Sequence, residues 1–185
     1  METLAPPYFL IATPQLLDPN FEQTVVLMGH HDTQGAMGWV INRVHELRAR
    51  ELLTPGQRER VHPDTPLHLG GPVPTQGLLA IYRDALDGVG AVEMAPGLHV
   101  CSSPDVLPLL FTRAPATITT GRLVYGYAGW GAGQLEGEME QGAWVVLPYD
   151  VELAFGLDVT DLWERTFECL GINPALLTTP SGRKH

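Results

Sequence analysis

Apolar residues along the chain fall in short runs separated by turn formers, with few long helical stripes. Tyr8-Phe9-Leu10-Ile11-Ala12 is rich in strand-forming side chains and is stopped by Pro14, which has no N–H for a sheet ladder. Asp18-Pro19-Asn20 carries turn chemistry. Thr24 to Gly29 is apolar at successive positions and predicts a strand buried on both faces. His31 to Gly35 reads as a hairpin loop, and Ala36 to Asn42 as its return strand. Glu46 to Leu53 turns helical in composition and ends at Pro55-Gly56; there Glu46 and Arg50 have the spacing of an i,i+4 pair.

Short strands are predicted at Leu67 to Leu69, Leu78 to Tyr82 and His99 to Cys101, with Gly70-Gly71-Pro72 between the first two. Ser103 is placed to cap a helix whose first turn holds Pro104 and Asp105, and Leu107, Leu110 and Phe111 give it a buried stripe. Thr117 to Tyr127 reads as a strand, Gln134 to Glu140 as a short helix with Leu135 and Met139 inward, and Trp144 to Leu147 as a strand. From Thr160 to Leu170, Leu162, Trp163, Thr166, Phe167 and Leu170 share one helical face; Asp158 and Asp161 stand at the start and Gly171 at the end. Strands and helices do not alternate regularly. A mixed α+β domain with a core from about residue 8 to 172 is therefore expected, and a doubly wound parallel sheet is disfavoured.

Composition narrows the function classes. The chain has 185 residues, enough for one domain with a substantial core, and 20 Gly plus 16 Pro imply many turns. Formal net charge is −10 and the only lysine is Lys184, which excludes a Walker-type phosphate loop and lysine Schiff-base chemistry in the body of the chain. Five arginines in residues 43–60 make a basic island, read first as a solvated helix face and second as a docking patch. Cys101 and Cys169 are too few for a disulfide framework. No basic, apolar leader precedes Pro6-Pro7 and no run approaches a membrane span, so a cytoplasmic protein without membrane attachment is expected.

Candidate chemistry is sparse. Gly126 to Gln134 is glycine-rich and lies before a helix, as in phosphate loops, but Glu136 stands where a dinucleotide fingerprint needs a small residue. The segment reads better as a tight turn that tucks Trp130 against the sheet. Adjacent His30 and His31 point to opposite faces of an extended backbone, and no metal-ligand spacing appears; the histidines are read as surface or satisfied core residues, with no metal. Cys101 shares a strand face with His99, which allows a nucleophile–base pair, although a small buried side chain is the simpler reading. Asn42 and Arg43 end a strand beside Gly70-Gly71 and suit either a small-molecule pocket or a plain turn.

Four blocks taken together resemble the YqgE/AlgH family. They are Phe9-Leu10-Ile11-Ala12-Thr13-Pro14 with Asp18-Pro19-Asn20-Phe21; Gly35-Ala36-Met37-Gly38 with Val40-Ile41-Asn42-Arg43; Leu69-Gly70-Gly71-Pro72-Val73; and Gly126-Tyr127-Ala128-Gly129-Trp130 through Gly133-Gln134-Leu135-Glu136. The resemblance implies a compact α+β domain with a barrel-like, mostly antiparallel mixed sheet flanked by helices, in the bacterial cytosol. Part of the family carries the label transcriptional regulator. The chain departs from the pattern at Val44, Gln76 and Cys101, where the family usually has proline, arginine, and threonine or serine.

The expected role is a non-enzymatic regulatory or interaction domain that binds a protein or small ligand, without a cofactor and with a homodimer left open. Its candidate site comprises Asn42, Arg43, Gly70, Gly71, Trp130, Gln134 and Glu136. The alternative is an enzyme with a pocket near Asn42, Arg43 and Glu136. Direct DNA binding ranks last, because an acidic chain with one lysine cannot neutralise a phosphate backbone well.

Overall fold

A computed structural model describes residues 5–113, 121–156 and 158–177. The chain runs through β1 (Tyr8–Ala12), β2 (Val25–Asp32), β3 (Gly35–Val40), β4 (Val44–Arg48), α1 (Ala49–Leu52), α2 (Pro55–Arg58), β5 (Pro66–Leu69), β6 (Leu79–Tyr82), β7 (Val92–Ala95) and β8 (Leu98–Cys101). A 3-10 turn (Pro104–Val106) leads into α3 (Leu107–Leu110). Then come β9 (Gly121–Tyr125), β10 (Ala128–Gly131), α4 (Gln134–Glu140), β11 (Trp144–Pro148), α5 (Val151–Phe155) and α6 (Leu162–Leu170).

The class is the mixed α+β one expected, and the barrel-like sheet takes the form of two open sheets. One has the order β10-β3-β2-β1-β11, the other β4-β5-β9-β6-β8-β7. Pairing is antiparallel except between β5 and β9. All five residues of β1 are buried because the strand lies inside its sheet and both faces are covered. Phe9 and Ile11 join Val25, Leu27, Ile81, Leu98 and Val124 in a central cluster that α5 and α6 close with Phe155, Leu162, Trp163 and Phe167. On the opposite face, Tyr8, Leu10 and Ala12 pack with Met28, Trp130, Trp144 and Leu135 of α4. A third cluster, including Leu67, Tyr82, Cys101, Leu107, Phe111 and Leu123, covers the far side of the second sheet.

Several elements match the sequence pattern closely. α4 spans Gln134–Glu140 and β1 spans Tyr8–Ala12. Ser103 caps the helical turn through its side chain, accepting from the Asp105 N–H. α6 buries Leu162, Trp163, Thr166 and Phe167, and Gly171 closes it in the left-handed conformation at φ 66°. The Trp163 indole donates to the Ala12 carbonyl at 2.8 Å, which fastens α6 to β1.

Other expectations are corrected. Glu46 to Arg48 belongs to an edge strand, where Val44 pairs with His68 and Arg48 with Pro66, so only Ala49–Leu52 is helical. Edge pairing tolerates the polar residues that suggested a helix. The Glu46–Arg50 helical pair therefore does not form, and the basic island is an edge strand followed by two single-turn helices. The hairpin turn is shorter than expected, since β2 continues through His30, His31 and Asp32. The glycine-rich segment after Tyr127 is a strand, β10, rather than a loop; Trp130 is nonetheless tucked in, 6% exposed. Residues 117–120 of the predicted Thr117–Tyr127 strand lie outside the described residues.

Candidate functional site

Two chain segments cross between the sheets at one corner, in opposite senses, and Gly70-Gly71 lies between them. β3 passes through Ile41-Asn42-Arg43 into β4, while β9 passes through Gly126-Tyr127 into β10. The Val40 N–H donates to the Gly70 carbonyl at 2.8 Å, Leu69 N–H to the Arg43 carbonyl at 2.9 Å, and Gly70 N–H to the Tyr125 carbonyl at 2.7 Å. Val73 and Tyr127 exchange both backbone hydrogen bonds, at 3.1 and 3.0 Å. The chains cross in contact, which is what the glycines permit. Gly71 has φ 152°, and a Cβ there would sit 2.2 Å from the Tyr127 carbonyl carbon; Gly126 has φ 76°, and its Cβ would sit 2.7 Å from the Gly71 oxygen.

The corner is flanked by two concavities. One is a cleft of about 340 Å³ walled by Met37, Trp39, Leu78, Leu79, Val124 and Tyr127, with Thr75 and Ser102 supplying hydroxyls. The other, about 140 Å³, is lined by Asn20, Arg43, Leu69, Gly71, Pro72, Pro74 and Tyr125. Residues of all four sequence blocks reach one or other of them. In the smaller one Arg43 is already engaged, because its guanidinium donates to the carbonyls of Pro19, Asn20 and Glu22 at 2.7 to 2.8 Å. Asn42 accepts from the Val25 N–H at 2.8 Å and donates to the Gln23 carbonyl at 2.9 Å. Gln23 itself has φ 53°, and the Asn42 contact helps hold that conformation.

Trp130, Gln134 and Glu136 belong to a separate group where α4 meets the first sheet. His31, with a side chain 5% exposed, joins Tyr8 to Glu136: the Tyr8 hydroxyl lies 2.7 Å from Nδ1, and Nε2 lies 2.9 Å from a Glu136 carboxylate oxygen. The chain is satisfied when the tyrosine donates to Nδ1 and Nε2–H donates to the carboxylate. The hydrogen bond from His31 holds Glu136 below the usual carboxylate range. Burial, with the Glu136 charge adding to it, pushes Tyr8 up to about 12. Two helical turns' worth of polar contacts complete the joint: Trp130 and Trp144 indoles both donate to one Glu138 oxygen, at 2.9 and 2.8 Å, and Gln134 donates to the other at 2.9 Å. Phe21 stacks on Trp130 at 6.0 Å and meets Trp144 edge-on at 5.5 Å.

The seven expected residues thus divide. Asn42, Arg43, Gly70 and Gly71 meet at the corner; Trp130, Gln134 and Glu136 meet at the α4 joint. Glu138, absent from the expected site residues, is the shared acceptor of two buried indoles. Trp39 and Met37 of the cleft wall were also missed, though their alternation with buried Ala36, Gly38 and Val40 could have assigned them to one face. Cys101 is 4% exposed and donates to the Val89 carbonyl at 3.2 Å, while His99 stacks on Tyr82 with centroids 5.5 Å apart. Both therefore act as core residues. The histidines are not all satisfied: among the described residues, Nδ1 of buried His68 and of buried His99 has no hydrogen-bond partner. Among the described residues no three His, Cys, Asp or Glu side chains gather as a metal site would need, and no helix is long and apolar enough to cross a membrane.

A sequence model of the family described as AlgH-like matches residues 9–175. A UPF0301 protein of Pseudomonas putida strain W619 is 38% identical, over 98% of this chain and 99% of its own length. A UPF0301 protein of Anaeromyxobacter dehalogenans is 38% identical over 91% and 89%. The solution structure of the AlgH protein from Pseudomonas aeruginosa is similar with a TM-score of 0.69 and 34% identity, covering all of both chains. A crystal structure of a Corynebacterium diphtheriae protein shares the fold, with a TM-score of 0.71 at 23% identity over 95% of this chain and 92% of that one.

Proposed function

The chain belongs to the AlgH-like family, and we propose that it is a cytoplasmic binding module whose ligand or protein partner seats in the apolar cleft where the two sheets cross. One observation carries the reading. Met37 from the second block, Trp39 between that block's two halves, and Gly126 and Tyr127 from the fourth, far apart in sequence, line a single cleft of about 340 Å³. That volume lies within the range of small-molecule sites, and apolar walls with a few hydroxyls suit such a ligand or one apolar side chain of a partner. The cleft lining contains no carboxylate, histidine, lysine or arginine, and its one ionisable side chain is the Tyr127 phenol, which favours binding over acid–base chemistry. Asn42, Arg43, Gly70 and Gly71 then serve as the frame that fixes the crossing, and an oligomeric partner could use the same face.

A neutral environment-sensitive dye, prodan, tests this. Blue-shifted, saturable fluorescence with about one dye per chain is expected, weakened about tenfold or more in Trp39→Ala and Tyr127→Ala. Absence of saturable binding, or binding that both variants leave unchanged, would overturn it.

The enzyme reading is favoured by one feature, the Tyr8–His31–Glu136 chain. Tyr8 is 2% exposed, so substrate would meet only the Glu136 end, and that carboxylate is kept ionised rather than poised as an acid. Turnover of a metabolite lost in Glu136→Gln would move the assignment to this reading. Direct DNA binding remains last on charge.

A further inference from the structure

A second cavity adjoins the cleft at the sheet crossing. It measures about 230 Å³ and is lined by parts of α1 and α2, the segment leading into β6, and the turn after β8. Gly77, Leu78 and Ser102 line both cavities, so the two meet along those residues. Buried Leu53, Ala80, Leu107 and Leu123 give the second cavity apolar walls. Apart from the buried Cys101 thiol, its polar side chains are amides and hydroxyls, those of Thr54, Gln57, Gln76, Ser102 and Ser103. Although 17% of the chain is charged, no Asp, Glu, His, Lys or Arg lines either cavity. Arg58, next to Gln57, is spent on the Leu53 carbonyl, to which its Nε donates at 2.8 Å.

The polar groups differ in what they have left to offer. The Ser103 hydroxyl already accepts from the Asp105 N–H at 3.3 Å. Half-buried Gln57 accepts from the Thr54 N–H through Oε1 at 3.0 Å, which leaves its NH2 donors for another group. Gln76 and Ser102 are exposed, and among the described residues neither side chain makes a hydrogen bond. Exposed amides and hydroxyls trade water for a ligand at little cost when the ligand group both donates and accepts, as a carboxamide does. A charged head group would instead give up its hydration and meet only neutral dipoles.

We propose that the two cavities form one bipartite site for an uncharged amphiphile, with an apolar chain or ring in the cleft of Trp39 and Tyr127 and a carboxamide-type group hydrogen-bonded to Gln57, Gln76 and Ser102. The proposal rests on the cleft being the binding site, and it adds the class of ligand that the site takes. Carboxylates and ammonium ions with the same apolar part are selected against, because neither cavity offers them a counter-charge.

The experiment is displacement of prodan from the full chain by octanamide, sodium octanoate and octylammonium chloride, which share a chain length and differ in charge. Octanamide is expected to displace the dye at a concentration at least about tenfold below that of either ion. Gln76→Leu combined with Ser102→Ala, both at exposed positions, is expected to keep prodan affinity within about threefold and to lose that preference. A second measurement needs no dye: octanamide should shift the side-chain NH2 signals of Gln57 and Gln76 together with the Trp39 indole N–H in 1H–15N spectra. Failure of prodan to bind overturns the cleft reading and this proposal with it. Octanamide no better than the ions, a preference unchanged in the double variant, or glutamine signals that stay fixed while the Trp39 indole shifts would overturn this proposal and leave the cleft reading standing.

Discussion

Gly71 and Gly137 show how differently the same residue type is used. A Cβ on Gly71 would lie 2.2 Å from the backbone of Tyr127, which no rotamer change relieves, whereas nothing stands within 4 Å of the Cβ position at Gly137 inside α4. Gly71→Ala is expected to destabilise the protein by about 3 kcal/mol or more, and Gly137→Ala to stabilise it by about 0.5–1 kcal/mol through helix propensity. Urea unfolding of both variants checks this; equal effects would remove the steric account of the crossing. His68 supplies a pH dependence. Its folded value of about 4 lies below the unfolded value near 6.5, so the unfolded chain binds the extra proton between those limits. Stability from this group is full above about pH 6.5, falls as pH drops towards 4 and levels off below, a loss of roughly 3 kcal/mol. Denaturant titrations at pH 7, 5.5 and 4.5 should show that decline in the wild type and a shallower one in His68→Phe.

Elements were legible where local chemistry decided them. β1 is a β-rich run ended by Pro14, α4 and α6 follow helical spacing, and Ser103 caps where a hydroxyl before Pro104 should. Two of the failures share a cause in long-range pairing. Val44 to Arg48 has helical composition but gains a strand partner in β5, and Ala128 to Gly131 gains one in β3. Short α5 went unnoticed although Asp150 accepts from the N–H groups of Glu152 and Leu153, a cap visible as Asp before an apolar turn. The segment from Asp18 to Gln23 has no regular structure of its own and depends on Arg43 and Asn42. Arg43→Ala is expected to raise amide exchange at residues 20–25 at least tenfold while changing α6 little. Uniform acceleration across the chain would mean that Arg43 supports global stability instead.

For the molecule as a whole, the four blocks were visible in sequence but their meeting place was not. Gly71 touches Tyr127, and Met37 shares a cleft with Ser102 and Val124, relations that no local pattern encodes. The sequence reading joined Arg43 and Glu136 in one pocket. Arg43 instead lines the small cavity with Gly71 and Tyr125, while Glu136 hydrogen-bonds to His31 on the α4 side of the first sheet. What the blocks share is the crossing of two strands between sheets, with a cleft opening beside it. The most direct test of that cleft as the binding site is a 1H–15N NMR titration of the full chain with prodan. Saturable shift changes confined to residues 37–40, 75–79, 102 and 124–127 are expected; changes centred on α4 or spread over the surface would contradict the account.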